Sequence, residues 1–256
     1  MALRILVAVK RVPAPGARIV LTEDAQRIDT KHLGFTVSPH EECAIEEAVQ
    51  QVSQHGGEAT VLTLGPEVAE EQLRTAISMG VNHGVLVETD DQEWDAIATA
   101  AALADAIRTL EEEGGPFDLI LFGNESADAG NYQVGIRVAH ALGRPVVSGI
   151  KHIEVADTTV TMKRGVTDGF EVVETPLPAV AAVKEGINLP RYPAMRGRLV
   201  AKKAQIRRLR PEKREGGLTR LALRHPPQQE SETVILGTGA DAAPAVVKIL
   251  EEAGLL

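Results

Sequence analysis

At 256 residues, the chain is long enough for one large domain or two small ones. With 44% hydrophobic and 25% charged residues, it can bury a full core without disulfide or metal staples. Its 36 acidic residues outnumber 27 basic ones for a net charge of −9, which argues against whole-surface nucleic-acid binding. The lone Cys43 excludes a disulfide framework, a multi-cysteine zinc site and a cysteine-held iron–sulfur cluster within the chain, and 3% aromatic residues are too few for base-stacking platforms.

In chain order, Arg4–Val9 is a continuous apolar run of the kind buried on both faces of a sheet. It is too short for a signal-peptide core and is followed by Lys10 and Arg11. No stretch reaches the roughly 18 apolar residues of a spanning helix. The expectation is a soluble, cytoplasmic protein without membrane insertion. Residues 17–28 read as a short polar hairpin turning near Glu23–Asp24. Ser38–Pro39 opens a helix: Ser is a good N-cap, Pro suits the first helical position, and Glu41 and Glu42 favour the positive helix start. Gly56–Gly57 ends it. Then come a strand at 59–64, a helix from Pro66 to Met79, a strand at 84–87, an Ala-rich helix capped by Asp91 and running to about Glu113, a strand at 117–122 and a helix at 132–142 with Gly143 as its stop. This alternation predicts an α/β fold, a mostly parallel sheet with helices on both faces.

After residue 147 the pattern changes. Residues 150–155, 158–164, 169–174 and 179–184 read as shorter strands added antiparallel, with turns at Asp157 and Asp168–Gly169. From Pro190 to Arg214 no hydrophobic period is clear, and ten cations face Glu212 alone, as in an extended arm or loop. Thr233–Leu236 reads as a strand and 242–253 as a terminal helix. The division is therefore 1–189, an α/β domain, and 190–256, a C-terminal extension.

Open parallel sheets bind ligands beyond the C-terminal ends of their strands. The most informative such loop is G-N-E-S-A-D-A-G-N-Y-Q-V-G, residues 123–135, which runs from a buried strand into a helix start. Its glycines, small residues, hydroxyls and amides suit backbone N–H donation to a phosphate, or an ordinary strand-to-helix turn; the residues alone leave both open. G-T-G-A-D-A at 237–242 resembles a dinucleotide fingerprint, but no second strand and no acid some 20 positions on can follow it. His40–Cys43 cannot gather on one ion, because neighbouring helical residues fan around the axis. No Walker loop, H-E-x-x-H or G-x-S-x-G occurs, and no catalytic nucleophile or metal site is nominated.

Several ordered motifs carry a resemblance. L-R-I-L-V-A-V-K-R-V-P, S-P-H-E-E-C-A-I-E-E-A-V, L-G-P-E, R-T-A-I-S-M-G-V, the 123–135 loop, K-R-G-V-T-D-G-F-E-V-V-E-T-P-L-P-A-V-A-A (163–182) and N-L-P-R-Y-P-A-M-R-G-R-L-V-A-K-K (188–203) fall in the order of one family. The chain resembles the beta subunit of electron transfer flavoprotein over nearly its whole length. Thr167 departs from the pattern, standing where an acid is usual.

The resemblance implies a Rossmann-like adenine-nucleotide-binding fold, a heterodimer with an alpha subunit that holds most of a shared FAD, and one structural AMP in this chain. Its contacts would be Ala8, Ser38, Pro39, His40, Glu41, Leu64 and the loop Gly123, Asn124, Glu125, Ser126, Ala127, Asp128, Ala129, Gly130, Asn131, Tyr132, Gln133 and Val134. His40 stands where an aromatic near the flavin is often found. Pro190, Arg191, Tyr192, Met195 and Arg196 correspond to a recognition loop that inserts one apolar side chain, here Met195, into a partner dehydrogenase. The arginines beyond it would pair with acids of the alpha subunit, on which the C-terminal strand and helix would pack. The implied role is that of an electron carrier rather than an enzyme. It takes electrons from flavin dehydrogenases, acyl-CoA dehydrogenases among them, and passes them to a membrane quinone oxidoreductase in fatty-acid β-oxidation. Bifurcating relatives bind a second FAD through a D-G-D-T-A-Q-V-G loop; D-A-G-N-Y-Q-V-G here agrees at Asp128, Gln133 and Gly135 but departs at Ala129, Gly130, Asn131 and Tyr132. A stand-alone adenine-nucleotide sensor is the other alternative, disfavoured by the 150–214 half.

Overall fold

The computed structural model describes residues 2–90, 94–214, 217–227 and 233–256. The described elements, in chain order, are β1 (Leu3–Val9), β2 (Val12–Pro13), β3 (Phe35–Thr36), α1 (Pro39–His55), β4 (Gly57–Gly65), α2 (Glu70–Met79), β5 (His83–Glu88), α3 (Ala96–Gly114), β6 (Leu119–Gly123), α4 (Val134–Leu142), β7 (Val146–Ala156), β8 (Thr159–Val166), β9 (Gly169–Pro176), β10 (Ala179–Val183), α5 (Met195–Lys203), β11 (Ile206–Leu209) and α6 (Ala243–Glu252). Nine strands form one sheet in the order β11-β5-β4-β1-β6-β10-β7-β8-β9. All pairs from β11 to β7 are parallel; β7-β8 and β8-β9 are antiparallel.

Period-two alternation sends successive side chains to opposite faces. Ile5 and Val7 pack with α1 and α2, whereas Leu6 and Ala8 pack with α3 and α4. Both faces are covered, so the central strands are apolar throughout and the α/β expectation holds. Ser38 is the N-cap of α1 and Gly56 its C-cap, as the sequence indicates. Gly143 closes α4 in the left-handed conformation. Among the described residues no helix is long and apolar enough to cross a membrane.

Five expectations need correction. Asp91 lies outside the described residues, and the cap of α3 is Asp95, whose carboxylate accepts from Ala98 N at 2.8 Å. The helix expected from Tyr132 begins at Val134, because Tyr132 sits at φ +56°, outside the helical region. The strand at 179–183 is not part of the antiparallel addition. It lies between β6 and β7, parallel to both, as five consecutive buried residues require. The segment 190–214 is not an irregular arm. It folds as α5, which packs on α2, and β11, which pairs parallel with β5 at the sheet edge. Finally, Thr233–Leu236 forms no strand, and its apolar side chains are exposed.

Several cations of 190–214 also find acids within the chain. Arg207 pairs with Glu113, Arg208 reaches Glu67 and Glu70 at 2.9 Å and Glu88 at 3.5 Å, and Arg214 meets Asp105 at 2.6 Å. These acids stand on α2, β5 and α3 and in the turn before α2, so the ion pairs brace β11 against the sheet. Arg207, Arg208 and Arg214 therefore have their counter-charges within the chain.

The chain divides into two compact units, Met1–Leu221 and Ala222–Leu256; the composition shift at 189/190 falls inside the first. The second holds α6, whose Val246, Val247 and Ile249 are exposed.

Candidate functional site

The C-terminal ends of β1, β4 and β6 lie side by side. Ala8 pairs with Leu62 and Phe122, and Leu64 pairs with Val87. Beyond these ends, Pro39 and His40 from the start of α1 and the run Glu125–Gly130 line a cleft of about 390 Å³. The elements approach closely because of two glycines. A Cβ on Gly123 would fall 2.6 Å from Glu41 Cγ, and one on Gly135 would fall 3.0 Å from the Phe122 ring. Gly123 lets the loop pass over α1, and Gly135 lets the first turn of α4 sit against the end of β6.

The loop is held at three points. Asn124 N donates to Val183 O at 2.8 Å, which ties it to the sheet. Lys10 Nζ pairs with Asp128 at 2.7 Å. Burial pushes the Asp128 carboxyl up, but the Lys10 charge and hydrogen bond outweigh it and hold it below the usual range. Glu125 receives two partners. His40 Nε2 lies 3.3 Å from its carboxylate, and the Tyr132 hydroxyl is bonded to it, which pushes the phenol up. Glu185 N donates to His40 Nδ1 at 2.8 Å, so the neutral ring carries its proton on Nε2, facing Glu125. Both carboxylates on the cleft wall are thus engaged by the protein itself.

Gln133 is the N-cap of α4, but its Oε1 accepts from Arg137 Nε at 2.8 Å and makes no capping bond, so the first-turn N–H groups of Val134, Gly135 and Ile136 lack a side-chain cap. With Gly130 at φ +55° and small Ser126, Ala127 and Ala129 before it, the backbone donors at this helix start are open to an anion. Such a donor set suits a phosphate group; the lining of the cleft ends at Gly130, four residues before α4 begins. Asn131 and Tyr132 join the loop to this helix start. Ser38 and Glu41 lie beneath the cleft, and Ser38 N donates to Glu41 Oε2 at 3.2 Å. Lys10 is the residue that reading the sequence missed. A lysine just past the end of a buried strand, beside a loop rich in acids, was the available signal for Lys10.

Glu41 is buried, and desolvation pushes its carboxyl from 4.5 to about 7 against the hydrogen bonds from Lys10 and Ser38. Because the folded-state value is the higher one, the unfolded chain loses this proton first, and its contribution to stability falls as pH rises from about 4.5 to 7. Glu41→Gln keeps the size and the acceptor but removes the charge. Its advantage over the parent should be near zero at pH 4.5 and about 3 kcal/mol at pH 8. Thermal unfolding at the two pH values checks this; equal shifts at both would show that Glu41 ionises freely.

The partner-docking candidates gather around α5. Met195 is its first residue and 73% exposed, and Tyr192 and Leu189 are also exposed. Arg198 Nη2 donates to the Tyr192 hydroxyl at 2.9 Å and lies over its ring. Pro190 precedes Arg191, which is turned inward. Its guanidinium grips the buried Glu46 at 2.7 and 2.9 Å and anchors the segment to α1. Arg196 follows Met195 in the first turn of α5.

A family model described as "Electron transfer flavoprotein domain" matches residues 27–213. The chain is 32% identical over 257 residues to the electron transfer flavoprotein subunit beta of Bacillus subtilis (strain 168), covering 97% of each. It is 36% identical over 208 residues to the protein of that description from Syntrophomonas wolfei, covering 80% of this chain and 79% of the relative. It is 35% identical over 206 residues to Protein FixA of Bradyrhizobium diazoefficiens, covering 78% and 71%. The match embraces the cleft loop, the antiparallel strands and α5, and the chain belongs to the electron transfer flavoprotein family as a beta subunit.

Proposed function

We propose that this chain is the beta subunit of a cytoplasmic heterodimeric electron carrier, holding one structural AMP in the cleft at the sheet end and contributing to a FAD site carried mainly by an alpha subunit. The observation that carries the AMP reading is the uncapped N-terminus of α4, set against β6 by Gly135 and flanked by a loop of small residues. The phosphate would take the N–H groups of the first turn, and the adenosine would extend along the cleft wall of Pro39, His40 and Glu125–Gly130. Lys10 supports this by neutralising Asp128, whereas His40 and Tyr132 hold Glu125 in place by hydrogen bonds without cancelling its charge. This chain supplies a rigid frame and no bond-making step. The exposed apolar residues of Ala222–Leu256, including Val246, Val247 and Ile249, offer the alpha subunit a surface to cover. Met195 and its neighbours would dock flavin dehydrogenases, acyl-CoA dehydrogenases among them, and a membrane quinone oxidoreductase would take the electrons onward.

The test is to denature the purified heterodimer and count the released nucleotides. One AMP and one FAD per heterodimer are expected. Two FAD and no AMP would make the chain a second flavin site of the bifurcating kind, and FAD alone at one per heterodimer would remove the nucleotide site from this chain.

A further inference from the structure

A second cleft lies along the C-terminal half of α1, away from the nucleotide loop. It measures about 460 Å³ and runs between Glu47–His55 of α1, His152–Val155 of β7 and Ile187. Its polar lining is two carboxylates, Glu47 and Glu154, with three glutamines and the imidazoles of His55 and His152. Glu47 is 5% exposed, and its two carboxylate oxygens accept from Gln51 Nε2 at 2.8 Å and Asn188 Nδ2 at 3.0 Å. Its neighbour Glu46 has the Arg191 guanidinium, but Glu47 has only neutral amides; among the described residues no cation pairs with it.

Those two bonds fix the orientation of both amides, since only their NH₂ groups can face a carboxylate. Their oxygens must then point elsewhere, and Gln51 Oε1 and Asn188 Oδ1 are both buried without a partner. Gln51 is 3% exposed and lines the cleft. His152 Nε2, also lining it, is buried and unbonded; Glu154 Oε2 at 3.7 Å is out of hydrogen-bond reach. A buried polar atom without a partner costs free energy, and so does a buried carboxylate without a counter-charge. What the cleft lacks is positive charge carried on several N–H donors. A divalent metal is the wrong complement. It calls for several charged or oxygen ligands, and among the described residues no three His, Cys, Asp or Glu side chains gather for one. An ammonium brings three donors and a guanidinium five. At the rim, Glu154 is exposed and offers a second negative charge to the far end of an extended cation.

We propose that this cleft binds an alkyl ammonium or guanidinium group, with Glu47 as its counter-ion, Gln51 Oε1 as an added acceptor and Glu154 as the rim contact. The group belongs either to a free diamine-like cation or to a basic side chain of an assembled subunit. Two measurements separate these sources. In the first, the full-length chain is titrated calorimetrically with agmatine at constant ionic strength. In the second, affinity for the co-purifying subunit is measured. Each is run with the parent, Glu47→Gln and Glu154→Gln; the last lies on the surface and leaves the core intact. Agmatine binding that weakens at least tenfold in Glu47→Gln, and less in Glu154→Gln, supports a free cation. Subunit affinity that weakens at least tenfold in the same order supports an inserted basic side chain. If neither affinity distinguishes the parent from either variant, the proposal is overturned.

Discussion

Gly197→Ala is expected to release α5 from the body of the protein while leaving the central sheet intact. Gly197 lies where α5 crosses the end of α2, and a Cβ built there falls on the Ser78 carbonyl oxygen, with the carbonyl carbon at 3.1 Å. Backbone cannot rotate out of the way as a side chain can, so the helix must shift bodily. Overpacking of this kind costs about 3 kcal/mol, which raises local opening about a hundredfold. Little in α5 resists that shift, since only Ala201 is buried. The Arg74 bonds to the carbonyls of Ala201 and Ala204 at its C-terminal end would be lost with it. Limited trypsin digestion reads the outcome directly, because Arg196, Arg198, Lys202 and Lys203 all lie in the released segment. Cleavage there should accelerate about a hundredfold, with dehydrogenase docking falling in parallel and nucleotide content unchanged. Parent-like cleavage would show that α5 can move aside without cost.

The central strands were legible because their signals are local. Ser38, Gly56 and Gly143 each act through the chain immediately around them, and a strand buried on both faces must be apolar throughout. The misplacement of β10 came from its position after a hairpin. Its own composition, A-V-A-A-V, carried the correct message of burial on both faces. The two elements that went unread, α5 and β11, owe their existence to distant partners. M-R-G-R-L-V-A-K-K has a glycine in its interior, a cost that the packing of that glycine on α2 repays. I-R-R-L looks like part of a basic run until Glu67, Glu70, Glu88 and Glu113 are brought beside it, and these lie 94 to 141 residues away. Thr233–Leu236 shows the converse: a β-rich run is no strand without an edge to join.

The loop at 123–135 was equally legible as a strand–loop–helix unit at a sheet end. Its electrostatics were not. Lys10–Asp128 and His40–Glu125 each join segments more than eighty residues apart, and they decide whether the cleft wall is charged or engaged. Neither pair can be read from the composition of the loop alone.

The other large effect falls on recognition. Met195 opens α5 with its side chain 73% exposed, behind a segment stiffened by Pro190 and Pro193 and anchored by Arg191 on Glu46. A support of this kind lets a flexible thioether be presented at low ordering cost. Burial of the side chain in a partner pocket contributes roughly 1.5–3 kcal/mol, so Met195→Ala should weaken docking about tenfold to a hundredfold and slow electron acceptance from the dehydrogenase accordingly. Flavin content, AMP content and melting temperature should stay close to the parent, because the side chain buries little against its own chain. Met195→Leu preserves the apolar volume and should restore most of the rate, which separates loss of the inserted side chain from a disturbed helix start. Tyr192→Phe provides the complementary control. It removes the hydroxyl that Arg198 holds but keeps the ring, and its effect on docking should be well below that of Met195→Ala. A Met195→Ala protein that docks normally and melts several degrees lower would place this residue among the structural contacts of α5 and leave the recognition surface to be sought elsewhere.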